Sequence, residues 1–167
     1  SLTTGSDNVS LGQGPLYNAT SGTKNVGTGN WSLFELTTGS NNNAYGYQAL
    51  DSITTADGNS AFGHTACQAV TSGTYNTGIG YAAKTGNTGD YNISIGANAG
   101  SNSMSRDHNI SIGNSAGSSM TNGEYNILIG DGAGQNITTG DHSIGIGRHT
   151  LGYSGAGATA NNNIGIG

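Results

Sequence analysis

Charge is scarce in this chain, and so are cysteine, proline and long apolar runs. Four Lys and Arg stand against nine Asp and Glu among 167 residues, a net charge of −5. Four scattered cations cannot neutralise a row of phosphates, so nucleic acid is not an expected partner. No apolar stretch approaches the ~20 residues that a helical membrane span requires, so no membrane insertion is expected. The single cysteine, Cys67, excludes an internal disulfide. No charged segment followed by an apolar one opens the chain, so any export signal is expected outside these residues. Only 32% of the residues are hydrophobic, a level that commonly leaves too little apolar surface to offset chain entropy. Disordered chains usually carry many charges, however. A polar chain with so few must satisfy its amides internally or risk aggregation.

What the sequence has is glycine, 31 residues of it, and a repeat. The phrase DYNISIG at 90–96 returns as DHNISIG at 107–113 and EYNILIG at 124–130. Aligned on the closing glycine, the copies end at Gly12, Gly29, Gly46, Gly63, Gly80, Gly96, Gly113, Gly130, Gly147 and Gly167. The steps are 17 four times, 16 once, 17 three times and 20 once. A fixed period over the whole chain marks a repeat architecture, and it governs how every local motif is interpreted.

Four residues before the glycine stands Asn8, Asn25, Asn42, Asn59, Asn76, Asn92, Asn109, Asn126 or Asn163, with Ser143 as the exception. One residue before it the column reads Leu11, Thr28, Tyr45, Phe62, Ile79, Ile95, Ile112, Ile129, Ile146 and Ile166. Val9, Val26, Ile93, Ile110, Ile127, Ile144 and Ile164 lie two residues earlier and share its face, because strand side chains alternate with period two. These two columns are the expected core face of a short strand. Alanine recurs three residues after the glycine at Ala49, Ala66, Ala83, Ala99, Ala116 and Ala133, and Leu36, Ile53, Val70, Met120 and Ile137 recur four further on. A second short strand is expected there, followed by a Ser/Thr-Gly corner at which glycine supplies a positive φ.

A unit of this kind cannot close its own core but can stack. The expected fold is therefore all-β, a parallel β-roll or β-solenoid of about ten 17-residue coils. At ~4.8 Å per coil the rod is on the order of 45 Å long. Stacking brings the asparagines into register, where their amides can bond above and below. One repeat domain fills 1–167, with less regular coils over 1–50 and regular Asn-x-x-Ile-Gly coils over 51–167. Small residues at Gly100, Gly117 and Gly134 invite another backbone close, so a symmetric oligomer is the expected way to finish the core.

The phrases NNNAYGYQAL, YNTGIGYAA, YNISIGANAG and HNISIGNSAG resemble the repeats of tail-fibre proteins that carry an endosialidase-type intramolecular chaperone domain. They are also similar to the heads of YadA-type trimeric autotransporter adhesins. The resemblance covers essentially the whole chain. It implies a left-handed parallel β-roll, a homotrimer, and an extracellular place on a virion tail fibre or bacterial surface appendage, attached to a host surface. Departures fall in the first three coils, where Thr28 and Tyr45 replace the aliphatic residue and NWSLFEL adds Trp31 and Phe34. A uniform roll is accordingly not expected before about residue 50.

Binding candidates come from the aromatics. Trp31 and Phe34, beside Leu33 and Leu36, form the best single recognition patch, together with Tyr47 and Tyr81 in the column after the glycine. Tyr75, Tyr91 and Tyr125 alternate with His108 and His142 just before the asparagine, an aromatic edge suited to sugar rings or to packing at a seam between chains. Acidic residues at Asp57, Asp90, Asp107, Glu124 and Asp141 suggest a calcium ladder, but the nonapeptide signature of calcium-binding solenoids is missing and solvent-facing corner carboxylates are the default. Gly78, Gly80 and Ala83 spell a GxGxxA pattern with no helix following, so a dinucleotide site fails its context. Cys67 takes a small apolar position and is read as inert core.

The expectation is a structural and adhesive fibre segment with a surface glycan as ligand, no enzymatic activity, no metal and no cofactor. Three other readings stand beside it. A monomeric ice-binding or flat-surface solenoid would use the corner column Thr4, Ser21, Thr38, Thr55, Ser72, Thr88, Ser105, Thr139 and Thr159. A curli-like amyloid is favoured by asparagine ladders and disfavoured by the glycine content. A tailspike-type glycan hydrolase would need paired carboxylates in a groove, and the sequence names no such pair.

Overall fold

The computed structural model describes residues 4–86, 88–100, 105, 107–152 and 161–167. Ten three-residue strands follow one another: β1 (Val9–Leu11), β2 (Val26–Thr28), β3 (Asn43–Tyr45), β4 (Ser60–Phe62), β5 (Thr77–Ile79), β6 (Ile93–Ile95), β7 (Ile110–Ile112), β8 (Ile127–Ile129), β9 (Ile144–Ile146) and β10 (Ile164–Ile166). They form one parallel sheet in chain order, β1 to β10. Pairing joins identical repeat positions: Ile93 lies beside Ile110, and Ile110 beside Ile127. The same register holds through the first three coils, with Val9 beside Val26 and Val26 beside Asn43. The 16- and 20-residue steps change the connecting segment and leave the register intact, as in Thr77 beside Ile93 and Ile144 beside Ile164. The expected all-β solenoid of 17-residue coils is the observed fold.

Two expectations are corrected. The segment after each repeat glycine is a chain of turns, and no second strand occurs among the described residues. The backbone there enters the left-handed region at every second residue, as at Gln48 (φ 51°) and Leu50 (φ 52°), or Thr65 (φ 53°) and Cys67 (φ 52°). That alternation breaks a ladder and curls the chain inward. The second correction concerns the faces. From β2 to β9 each strand buries its central residue, and the two aliphatic columns point outward, half-exposed, with Ile79 39% and Ile146 40% accessible.

The interior is therefore built from other residues. The alanine column and the column of Leu36, Ile53, Val70, Met120 and Ile137 are buried, as the periodicity requires. The remaining space is shared between the strand centre and the fourth residue after the repeat glycine, and in most coils one is large where the other is small. In the N-terminal coils Leu33, Leu50 and Cys67 are fully buried over Gly27, Ala44, Ala61 and Gly78. A Cβ on Gly78 would collide with the Cys67 sulfur. At β8 the roles reverse: Leu128 occupies the strand centre, and a Cβ on Gly134 would lie 2.5 Å from Leu128 Cδ1. Gly117 likewise faces Ser111 and Leu128, and Gly100 faces Lys84 and Ser94, so these glycines receive the chain's own atoms and not another copy's backbone.

Buried polar groups are matched with similar economy. From Asn8 through Asn126 each ladder asparagine accepts, through Oδ1, the backbone N–H of the ladder residue one coil on, over 2.8–3.0 Å. In seven of these Nδ2 donates to a corner carbonyl later in the same coil, as from Asn25 to Gly39 and Asn126 to Gly140, both 2.8 Å. Amide-to-amide bonds are longer, 3.1–3.3 Å where they form. The ladder thus binds mainly backbone. Ser143 keeps the N–H bond but supplies only a hydroxyl to Asn163, at 3.3 Å.

Two stability predictions follow from this packing. Asn59→Ala leaves the Asn76 N–H and the Gly73 carbonyl without partners, a loss on the order of 3 kcal/mol that urea unfolding measures. Leu128→Ala empties the centre of its coil and costs about 2–5 kcal/mol. Adding Gly134→Leu should recover part of that loss, because Leu33 and Leu50 already occupy this column at φ 52°. A purely additive pair in a double-mutant cycle would refute the shared-space account.

Candidate functional site

The outer surface has three regions: the strand face, the corner before each asparagine, and the turns after each repeat glycine. On the strand face, the outward positions of all ten strands hold Val, Leu, Ile, Thr, Asn, Tyr, Ser or Phe and no charged residue. From β6 to β10 every outward position is isoleucine. Tyr45 and Phe62 stack on this face, with centroids 4.8 Å apart at 8°.

At the corner, the residue before each ladder position has positive φ in every coil, glycine or not: Asp7, Lys24, Asn41, Gly58, Tyr75, Tyr91, His108, Tyr125, His142 and Asn162. Five of these are rings, and they form one continuous stack. Tyr75 meets Tyr91 at 5.3 Å, Tyr91 meets His108 at 5.2 Å, His108 meets Tyr125 at 4.9 Å and Tyr125 meets His142 at 5.1 Å, all within 20° of parallel. The ring faces inside the stack cover one another. Solvent therefore meets ring edges and phenolic hydroxyls, while Tyr75 on the other side lies against Gly58.

In the turns, Trp31, Tyr47 and Tyr81 join a second stack with His64 between them. Trp31 and Tyr47 are tilted by 46° at 5.8 Å, Tyr47 and His64 lie at 5.0 Å, and His64 and Tyr81 at 5.4 Å. Phe34 joins neither stack. It lies flat on Tyr17, 5.3 Å away at 9°. Leu33 and Leu36 are fully buried, so the expected patch divides, with leucines inward and Trp31 and Phe34 outward. The seven aromatic candidates thus fall into two stacks and a pair.

One feature of this region has no signal in the aromatic columns. A cleft of about 330 Å³ opens between Trp31, Phe34, Glu35, Gln48 and Asp51. Its two carboxylates come from adjacent coils. Asn18 Nδ2 donates to Glu35 at 3.1 Å, and Gln68 Nε2 donates to Gln48 Oε1 at 3.2 Å. Partial burial pushes the Asp51 carboxyl up; a hydrogen bond with Gln68 opposes this, and the neighbouring Glu35 charge adds to it. A second cavity, about 320 Å³, lies where the 16-residue coil shortens the turn, lined by Cys67, Gln68, Lys84 and Thr85 among others. The Cys67 thiol there is fully buried and pushed up to about 11 by desolvation, partly countered by Thr85.

The corner carboxylates have a defined structural role. Asp57, Asp90, Asp107 and Asp141 accept the backbone N–H of Ser40, Thr74, Asp90 and Glu124, at 2.6–2.9 Å. They clamp successive coils as the asparagines do inside. Among the described residues no three His, Cys, Asp or Glu gather as a metal site, and no helix is long and apolar enough to cross a membrane. Of the corner Ser/Thr column, Ser21, Thr38, Thr55, Ser72 and Thr88 are exposed, while Thr159 lies outside the described residues.

One pattern that the expectation of no catalysis leaves out is Gly113-Asn114-Ser115-Ala116-Gly117, which spells G-x-S-x-G. A nucleophile elbow needs a strand, a sharp turn and a helix. Here Ser115 enters the left-handed region (φ 54°) like its counterparts Gln48, Thr65 and Asn98, further turns follow, and its Oγ bonds Asn114 Oδ1 at 3.1 Å. The motif belongs to the repeat.

A buried thiol whose pKa is raised should resist thiol reagents. Ellman's reagent at about pH 8 should leave Cys67 unmodified in the native protein and label it fully in denaturant; rapid native labelling would show that the cavity beside it opens. Compared with family models, curated proteins and solved structures, the chain matches none.

Proposed function

We propose that this chain is a structural and adhesive segment of a homotrimeric extracellular fibre, on a phage tail or a bacterial surface appendage, that attaches to a host surface through glycan. The role is mechanical and recognitive, not enzymatic. The observation that carries it is the uncharged aliphatic strand face. Two columns of isoleucine over five successive strands leave a contiguous apolar surface, and a soluble monomer seldom exposes such a patch beyond a few hundred Å². Because the chain's interior is complete without these isoleucines, their conserved column position across coils serves contact with something else. A copy of the same face is the simplest partner, and a face only two side chains wide suits a shared axis where three sheets meet. The family resemblance of the repeats supports the number three. Attachment by three identical rods then gains strength from avidity in place of one deep pocket.

Light scattering after size exclusion tests this, with a concentration-independent mass near three times 16.6 kDa expected. Ile110→Lys with Ile112→Lys should yield a monomer with an unchanged circular dichroism spectrum, since both side chains point away from the chain's own core. A wild-type monomer at every concentration would overturn the fibre. Attention would then move to the exposed hydroxyl row of Ser21, Thr38, Thr55, Ser72 and Thr88 and to adsorption on a flat surface such as ice.

A further inference from the structure

The cleft beneath Trp31 carries information about ligand charge that the aromatic stacks do not. Its walls are Trp31 and Phe34, and its polar lining is Glu35, Gln48 and Asp51. The stack of Tyr17 on Phe34 ends there, because the next residue in that column, 17 positions on, is Asp51 and not a ring. A carboxylate therefore stands where a further ring would lie. Glu35 is close enough to raise the Asp51 proton affinity by repulsion. Among the described residues the one Lys or Arg ion pair is Arg148 with Asp131, and neither cleft carboxylate has a cationic partner there.

Two carboxylates that repel one another beside aromatic walls favour a cation, and the walls favour an organic cation over a bare metal ion. The polar groups narrow the choice further. Carboxylate oxygens are acceptors, matching a primary ammonium with its three N–H donors, which a quaternary ammonium lacks. Gln48 adds an amide for hydroxyl groups, and Trp31 and Phe34 offer apolar surface to the C–H face of a sugar ring. We infer that the Trp31–Asp51 cleft binds an amino sugar through its free ammonium group, held by Glu35 and Asp51. This deepens the surface-attachment reading and takes its biological sense from it, but the cleft lies within one chain, on the turns and off the strand face.

Trp31 is the only tryptophan and so reports on its own cleft. The full chain is titrated with the glucosamine disaccharide, with its N-acetylated counterpart and with tetramethylammonium chloride, following tryptophan emission. The expected result is a saturable change with the glucosamine disaccharide at least about tenfold tighter than with the N-acetylated one, weakened by added salt. Glu35→Gln or Asp51→Asn should reduce affinity about tenfold while leaving the circular dichroism spectrum intact. Asp131→Asn, an equal charge change away from the cleft, should leave it unaltered. No saturable response, equal binding of the N-acetylated sugar, or equal or tighter binding of tetramethylammonium would each overturn the inference. A monomeric mass in light scattering would sink the trimer and leave this titration readable, so the two failures are separable.

Discussion

Seven of the ladder asparagines, Asn8, Asn25, Asn42, Asn59, Asn76, Asn109 and Asn126, do two things with one carboxamide. In each, the oxygen holds the N–H of the next coil's ladder residue, and the nitrogen holds the corner carbonyl that closes its own coil, as Asn42 does with Asn59 and Ala56. The first bond stacks coils and the second shuts each coil into a loop. A peptide group buried without a partner costs about 1–3 kcal/mol, so this double use makes it possible to bury so much backbone with so few apolar side chains. Strands of three residues suffice because the ladder, and not the sheet alone, fixes the stacking. The corner carboxylates repeat the same device on the outside, with Asp90 and Asp107 taking N–H groups in place of an amide.

Closing a coil in 17 residues also demands sharp bends, and the chain makes them at left-handed residues that are mostly not glycine. Tyr75, Tyr91, His108 and Tyr125 all sit near φ 56–60°. Such conformations cost about 1–3 kcal/mol each and persist only where the surroundings fix them. Here each residue donates its N–H to the preceding coil, as Tyr91 does to Thr74 and His108 to Asp90, and each ring stacks on the next. Aromatic stacking contributes about 0.5–1.5 kcal/mol per pair, so the rings offset part of the strain at the corner they occupy. Their alignment thus has a structural cause whether or not a ligand uses their edges.

The period, the strand positions, the asparagine ladder and the buried alanine and Leu36-type columns are legible in the sequence because stacking gives identical environments to identical positions. Face assignment is not, and the reason is physical. Ile93 and Ile95 flank Ser94, and hydrophobicity alone turns the isoleucines inward. The coil is too narrow for that: its interior admits Ser, Ala or Gly at the strand centre, with one larger residue such as Leu50 or Leu128 from either side. The missing second strand reflects the left-handed residues, which Leu33, Leu50 and Cys67 do not advertise. A weak signal exists in the same column, where Gly100, Gly117 and Gly134 take their place in later coils. The aromatic stacks were readable as columns, whereas Glu35 and Asp51 belong to different columns and meet only through adjacent coils.

Uniformity has a cost for any assembly built on the strand face. From β6 to β10 the outward columns are isoleucine throughout, so sliding one copy past another by a coil, ~4.8 Å, would restore nearly the same contacts. Register must then come from where the repeat is broken. The first five strands supply that break: Thr28, Asn43, Ser60 and Thr77 interrupt the aliphatic columns, and Tyr45 stacked on Phe62 forms a ridge with no counterpart further along. In a trimer of the proposed kind the isoleucine half would provide cohesion and the irregular half would set alignment. The departures from the repeat before residue 80 or so then read as the part of the face that makes its neighbours' positions unique.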